Sequence, residues 1–93
     1  MTHDLKTWDT YFEKVWSGEK RFEVRKNDRG FNVWDVLTLM EYSPKTDQFS
    51  DRWIQVKIDY ILEGGSFGIE SDHIVMSITP ISKYSQKSGI IKL

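Results

Sequence analysis

The chain has 93 residues and a mass of 11.0 kDa, room for one small domain. Its charged residues (29%) balance to a net charge of -1, and with 39% hydrophobic content this excludes a disordered chain and argues against coating long stretches of duplex. No cysteine occurs, so disulfides, thiolate nucleophiles and cysteine-ligated zinc or iron–sulfur centres are excluded. No apolar run approaches the roughly 20 residues that span a bilayer, and residues 1–20 lack the apolar stretch of a secretion signal. The expectation is a cytoplasmic α+β or mainly β protein, monomeric by default, with no membrane partner.

Trp8, Tyr11, Phe12, Val15 and Trp16 recur at helical spacing and predict a short amphipathic helix with an aromatic stripe turned to the core. Thr7 is the expected N-cap, Asp9 suits the first turn, and Gly18 is placed to end the helix in left-handed backbone. From Arg21 the period becomes two. Phe22 and Val24 are expected on a dry face, with Arg21, Glu23 and Arg25 on an ionisable one. Residues 26–30 read as a turn, and Phe31 and Val33 lead into a largely apolar strand over 36–42. Residues 53–62 alternate most clearly, with Ile54, Val56, Ile58, Tyr60 and Leu62 assigned to one face. A glycine-rich loop, 64–68, precedes a strand marked by Ile74, Met76 and Ile78 and ended by Pro80. Residues 1–80 thus form one domain, and 81–93 a tail that frays or adds an edge strand. One helix followed by four or five strands predicts a small curled sheet or β-barrel rather than a parallel dinucleotide-binding fold.

Charge is segregated along this order. Residues 20–34 carry Lys20, Arg21, Arg25, Lys26 and Arg29 against Glu23 and Asp28, whereas 35–72 are strongly acidic. No phosphate-binding glycine motif is present, and no histidine or acidic cluster has metal-ligand spacing, so no metal or cofactor is expected. His3 and His73 form an acid–base pair only if the fold joins them. Glu23 and Arg25 sit two positions apart on one strand face beside Lys20. That arrangement serves either as a surface ion pair or as a recognition cluster, in which a carboxylate accepts from a base amine and cations hold phosphate.

Gly18, Lys20, Glu23 and Arg25 fit the pattern G-x-K-x-x-E-x-R, which resembles the signature of ASCH domains in the PUA-like superfamily. With His3, Leu5 and Lys6 before the helix, residues 22–29, and the later Leu62-Glu63-Gly64-Gly65, the chain resembles the small bacterial and phage subgroup DUF3850. The resemblance implies a PUA-like β-barrel with a helix at one end and a cleft for RNA or a modified nucleoside. Lys20, Arg25, Lys26 and Arg29 would then hold phosphate, Glu23 and Asn27 would read a base edge, and Asp28 would orient the loop. The family pattern has glycine where this chain has Trp34. Because an indole enters mirror-image backbone poorly, the turn is expected to be reshaped, with Trp34 either capping the core or stacking on a base. Related acylcytidine hydrolases carry threonine at the position of Glu23, which makes binding the first expectation. A hydrolase acting on RNA or an acylated nucleoside through Lys20, Glu23 and Arg25 is the alternative, and a protein-interaction module using the acidic half is another.

Overall fold

The chain enters its sheet through a strand that hydropathy conceals. The computed structural model describes residues 1–93, beginning with β1 (Thr2–Trp8), in which His3, Leu5 and Thr7 are buried and their neighbours exposed. The alternation is strict, but only Leu5 of the buried set is apolar, so the expectation of a helix before all strands misses it. His3 is accommodated because its Nε2 lies 2.9 Å from Asp35 Oδ2 and its ring packs edge-on to Phe31 at 4.8 Å.

Helix α1 (Asp9–Trp16) follows directly. Trp8, the last residue of β1, is its N-cap and makes no side-chain capping bond, while Thr7, the expected cap, engages its hydroxyl with Leu5 O and Arg25 instead. Phe12 and Val15 are fully buried, and Gly18 ends the helix at φ 88. The stripe is divided, however: Trp8 and Tyr11 are each 53% exposed. Trp8 lies before the first helical turn and Tyr11 at the stripe's margin, so neither follows Phe12 inward.

Strands β2 (Phe22–Lys26), β3 (Val36–Ser43), β4 (Gln48–Glu63), β5 (His73–Ser85) and β6 (Gly89–Lys92) complete a curled half-barrel sheet of order β1-β3-β4-β5-β2, with β6 on the far end of β5. β1 runs parallel to β3, and every other pairing is antiparallel. More than half the residues are in strands, so the architecture is mainly β with one short helix. That helix is not long and apolar enough to cross a membrane.

The core joins Phe12 and Val15 to Leu37 and Leu39 of β3, Ile54, Val56 and Ile58 of β4, and Ile74, Met76 and Ile78 of β5. The predicted β4 alternation holds to Ile58 and then breaks. Ile58 pairs with Ile78 but Tyr60 with Ser77, so Asp59 is an extra residue in the ladder. Beyond it Tyr60 is exposed and Ile61 packs on the core instead. Pro80 does not end β5 as expected. Val56 pairs with Pro80 and Gln55 with Ser82, which leaves Ile81 bulged beside the residue that has no N–H to donate. β5 therefore runs past residue 80, and β6 folds back on its Ser82–Ser85 end.

The turn before β3 also differs from expectation. Trp34 adopts φ 78, the left-handed conformation that the turn is expected to avoid by being reshaped. Its N–H donates to Ile58 O at 2.9 Å, and the Lys57 ammonium lies 4.6 Å from its ring centre. Removing the indole while keeping a Cβ retains the strain. Trp34→Gly is therefore expected to be more stable than Trp34→Ala by about 0.5–1 kcal/mol in urea denaturation, the strain relieved less the entropy of glycine. Equal stabilities refute the strain.

Asp35, buried in the same turn, also accepts from Asn32 N–H at 3.0 Å. Its carboxyl is held below its ordinary value of 3.8, first by the bond from His3 and then by that of Asn32, against the opposing effect of burial. The folded value lies below the unfolded one, so the contribution is complete above about pH 4 and fades as pH falls through the folded value. Asp35→Ala should cost about 2–3 kcal/mol at pH 7, leaving His3 without its partner. The gap from wild type should narrow in urea titrations repeated below pH 4.

Candidate functional site

β1 and β2 are the two ends of the sheet path, and no backbone ladder joins them. The sheet curls until these ends meet, and side chains close the seam. Arg25 of β2 donates through Nη1 to Lys6 O and through Nη2 to Thr7 Oγ1, both at 3.1 Å. Arg29, in the loop after β2, donates to Asp4 O at 3.0 Å. Asp4 and Lys6 present these carbonyls from β1 at alternate positions, away from β3.

Within the seam Glu23 is only 3% exposed. Lys20 Nζ donates to its Oε1 at 3.1 Å, and Arg25 Nε donates to its Oε2 at 3.0 Å. Lys20 also donates to Phe22 O at 2.7 Å. The carboxylate thus sits between two cations, which compensates its removal from water. The burial order of β2 is the reverse of the one expected. Glu23 turns inward, while Phe22 and Val24 are 46% and 49% exposed. β2 pairs with β5 alone, so its inward side faces polar groups of the seam, and a neutralised carboxylate fits there better than an apolar side chain.

Beside this clamp lies a cleft of about 510 Å³. Lys20, Glu23 and Arg25 contribute its ionic side, with Lys6 and Thr7 of β1. Trp8, Tyr11 and Phe22 supply aromatic surface, and Val24 borders it. Lys20 Nζ lies 4.7 Å from the Phe22 ring centre, so the aromatic and charged sides meet. The volume falls within the range of about 300–1,000 Å³ typical of small-molecule sites.

The structure brings together Lys20, Glu23 and Arg25 but not the rest of the predicted set. Lys26 points toward Asp72, 3.9 Å away, and Asn27 Oδ1 accepts from Phe31 N–H at 3.2 Å, closing its own loop. Arg29 is spent on β1, and Trp34 is 70% exposed against Lys57 of β4. None of these four lines the cleft. Sequence reasoning missed Lys6, Thr7, Trp8 and Tyr11, and also Phe22 and Val24, which it assigned to a dry face. For Trp8 and Tyr11 a signal existed: two large aromatics at the start of a helix too short to bury a whole stripe.

His3 and His73 do not pair. His3 serves Asp35, while His73 Nδ1 lies 2.8 Å from Asp72 on the exposed turn before β5. Glu70, Asp72 and His73 bring ligand-type atoms within 4.8 Å of one another, a grouping that the linear spacing did not suggest. The three are committed among themselves and to Lys26, and the bond from His73 is the main cause holding the Asp72 carboxyl below its ordinary range.

Loss of the central carboxylate leaves Lys20 and Arg25 facing each other, with side chains only 17% and 25% exposed. Glu23→Ala is expected to destabilise the fold by about 2–4 kcal/mol, and Glu23→Gln by less because the amide oxygen still accepts. Chemical denaturation measures both, and an unchanged midpoint for Glu23→Ala refutes a structural clamp.

Residues 2–78 match the family model described as a domain of unknown function, DUF3850. Comparison with curated protein sequences finds no match. A match over most of the chain, including the seam and the cleft, establishes that this protein belongs to the DUF3850 family.

Proposed function

We propose that the chain is an RNA- or nucleotide-binding module that takes a nucleobase into the cleft between β1 and β2. The observation that carries this reading is the meeting of aromatic surface with a clamped carboxylate in one open cavity. Trp8, Tyr11 and Phe22 offer faces on which a base can stack. Glu23 accepts hydrogen bonds from base donors, and Lys6 and Lys20 supply positive charge for phosphate. The G-x-K-x-x-E-x-R pattern of Gly18, Lys20, Glu23 and Arg25, with its resemblance to ASCH domains of the PUA-like superfamily, supports the same reading. So does a curled, mainly β sheet with a helix beside its mouth. As part of this reading, we propose that the module is cytoplasmic.

Hydrolysis through Lys20, Glu23 and Arg25 has less support. Both Glu23 oxygens already accept from cations, so the place of this carboxylate in the seam is accounted for without a proton-transfer role. A pure protein-interaction module is also less favoured, since it gives no role to an open cleft.

Calorimetric titration with short single-stranded RNAs and mononucleotides at low salt tests the reading. Wild type should bind, and more weakly as salt rises. Trp8→Ala and Tyr11→Ala should each weaken binding by about fivefold to a hundredfold, with circular dichroism unchanged because both side chains are half exposed. Absence of binding at low salt refutes the proposal.

A further inference from the structure

The clamp's donors and acceptors are arranged in an order that narrows the ligand. An ammonium has three donors, and Lys20 uses two, on Phe22 O and Glu23 Oε1. A carboxylate has about four acceptor sites, and Glu23 uses one on each oxygen, for Lys20 and for Arg25. Arg25 has all three of its nitrogens engaged, on Glu23, Lys6 O and Thr7 Oγ1, which turns its guanidinium toward the seam with β1. Lys20 and Glu23 both line the cleft, and the capacity left on them, in the order of the bonded atoms Lys20 Nζ, Glu23 Oε1, Glu23 Oε2, is donor, acceptor, acceptor. Cytosine presents that same order on its pairing edge, through its amine, ring nitrogen and carbonyl. The base complementary to it carries acceptor, donor, donor, which is guanine with O6, N1–H and the 2-amino group.

Resting on the nucleobase reading above, we infer that the cleft selects guanine, with Lys20 and Glu23 imitating the pairing face of cytosine. Uracil sets carbonyl oxygens on both sides of its single N–H, so one faces the carboxylate. Adenine and cytosine bring one donor group to an array that accepts two. The larger ring of guanine also covers more of Trp8, Tyr11 and Phe22 than a pyrimidine does.

The experiment titrates wild-type protein with GMP, IMP, AMP, CMP and UMP, and with pentauridylates whose central base is guanine, hypoxanthine or uracil. Hypoxanthine lacks only the 2-amino group. Guanine ligands should bind tightest in whichever series binds, and the hypoxanthine counterpart about tenfold or more weaker, the loss of one hydrogen bond to a charged acceptor. Glu23→Gln should erase that difference. Should this variant fail to fold, the guanine–hypoxanthine contrast on wild type decides alone. Tighter binding of the guanine pentamer than of GMP assigns the base to an RNA strand, and equal binding assigns it to the free nucleotide. Equal affinity for all bases, or a pyrimidine binding best, overturns guanine selection and leaves nucleobase binding standing. No binding in either series overturns both.

Discussion

A sheet that curls without closing has to finish its seam with side chains, and here one buried carboxylate organises that finish. Glu23 holds Lys20 on one oxygen and Arg25 on the other, and Arg25 carries the connection across to β1. An uncompensated charge at that depth would be strongly destabilising; two charge-assisted bonds make it tolerable. The clamp also fixes Phe22 and Val24 on the exposed side of β2. The groups that close the seam are also those that border the cleft.

Much of this fold was readable where a single rule governs. The run Ile54, Val56, Ile58 obeys periodicity undisturbed, Phe12 and Val15 of the helix bury at the expected spacing, and the Lys20–Glu23–Arg25 group stands out by spacing and by pattern. Reading failed where tertiary partners reversed a local preference. β1 hides because His3 is satisfied by Asp35, a residue far along the chain. Phe22 and Glu23 exchange their expected sides because of what β2 lies against, which depends on a strand order that sequence does not state. Trp34 takes a backbone conformation its side chain disfavours, held by the bond to Ile58 and by Lys57 over the ring.

The same ordering explains which basic residues reach the cleft. The positive run from Lys20 to Arg29 looks continuous in sequence but divides in space. Arg29 and Lys26 hold the loop after β2 to β1 and to Asp72, whereas Lys20 and Arg25 stay beside Glu23. Lys6 joins them from β1, outside the run altogether. Helix α1 is anchored independently: Arg52 of β4 forks onto Glu41 at 2.9 and 2.8 Å while packing over Phe12 and Trp16. Trp8 and Tyr11 can therefore remain half exposed without loosening the helix that carries them.

The two guanidinium groups on β1 have a separate effect on how these molecules behave toward one another. A strand at the margin of a sheet ordinarily offers a row of vacant carbonyls on which a stranger's backbone can register, the first step toward fibrous growth. Arg25 and Arg29 occupy those of Lys6 and Asp4 with charged, non-repeating caps that no extended peptide can continue. This margin is thereby withdrawn from templating, and crowded copies of the protein cannot extend the sheet from β1.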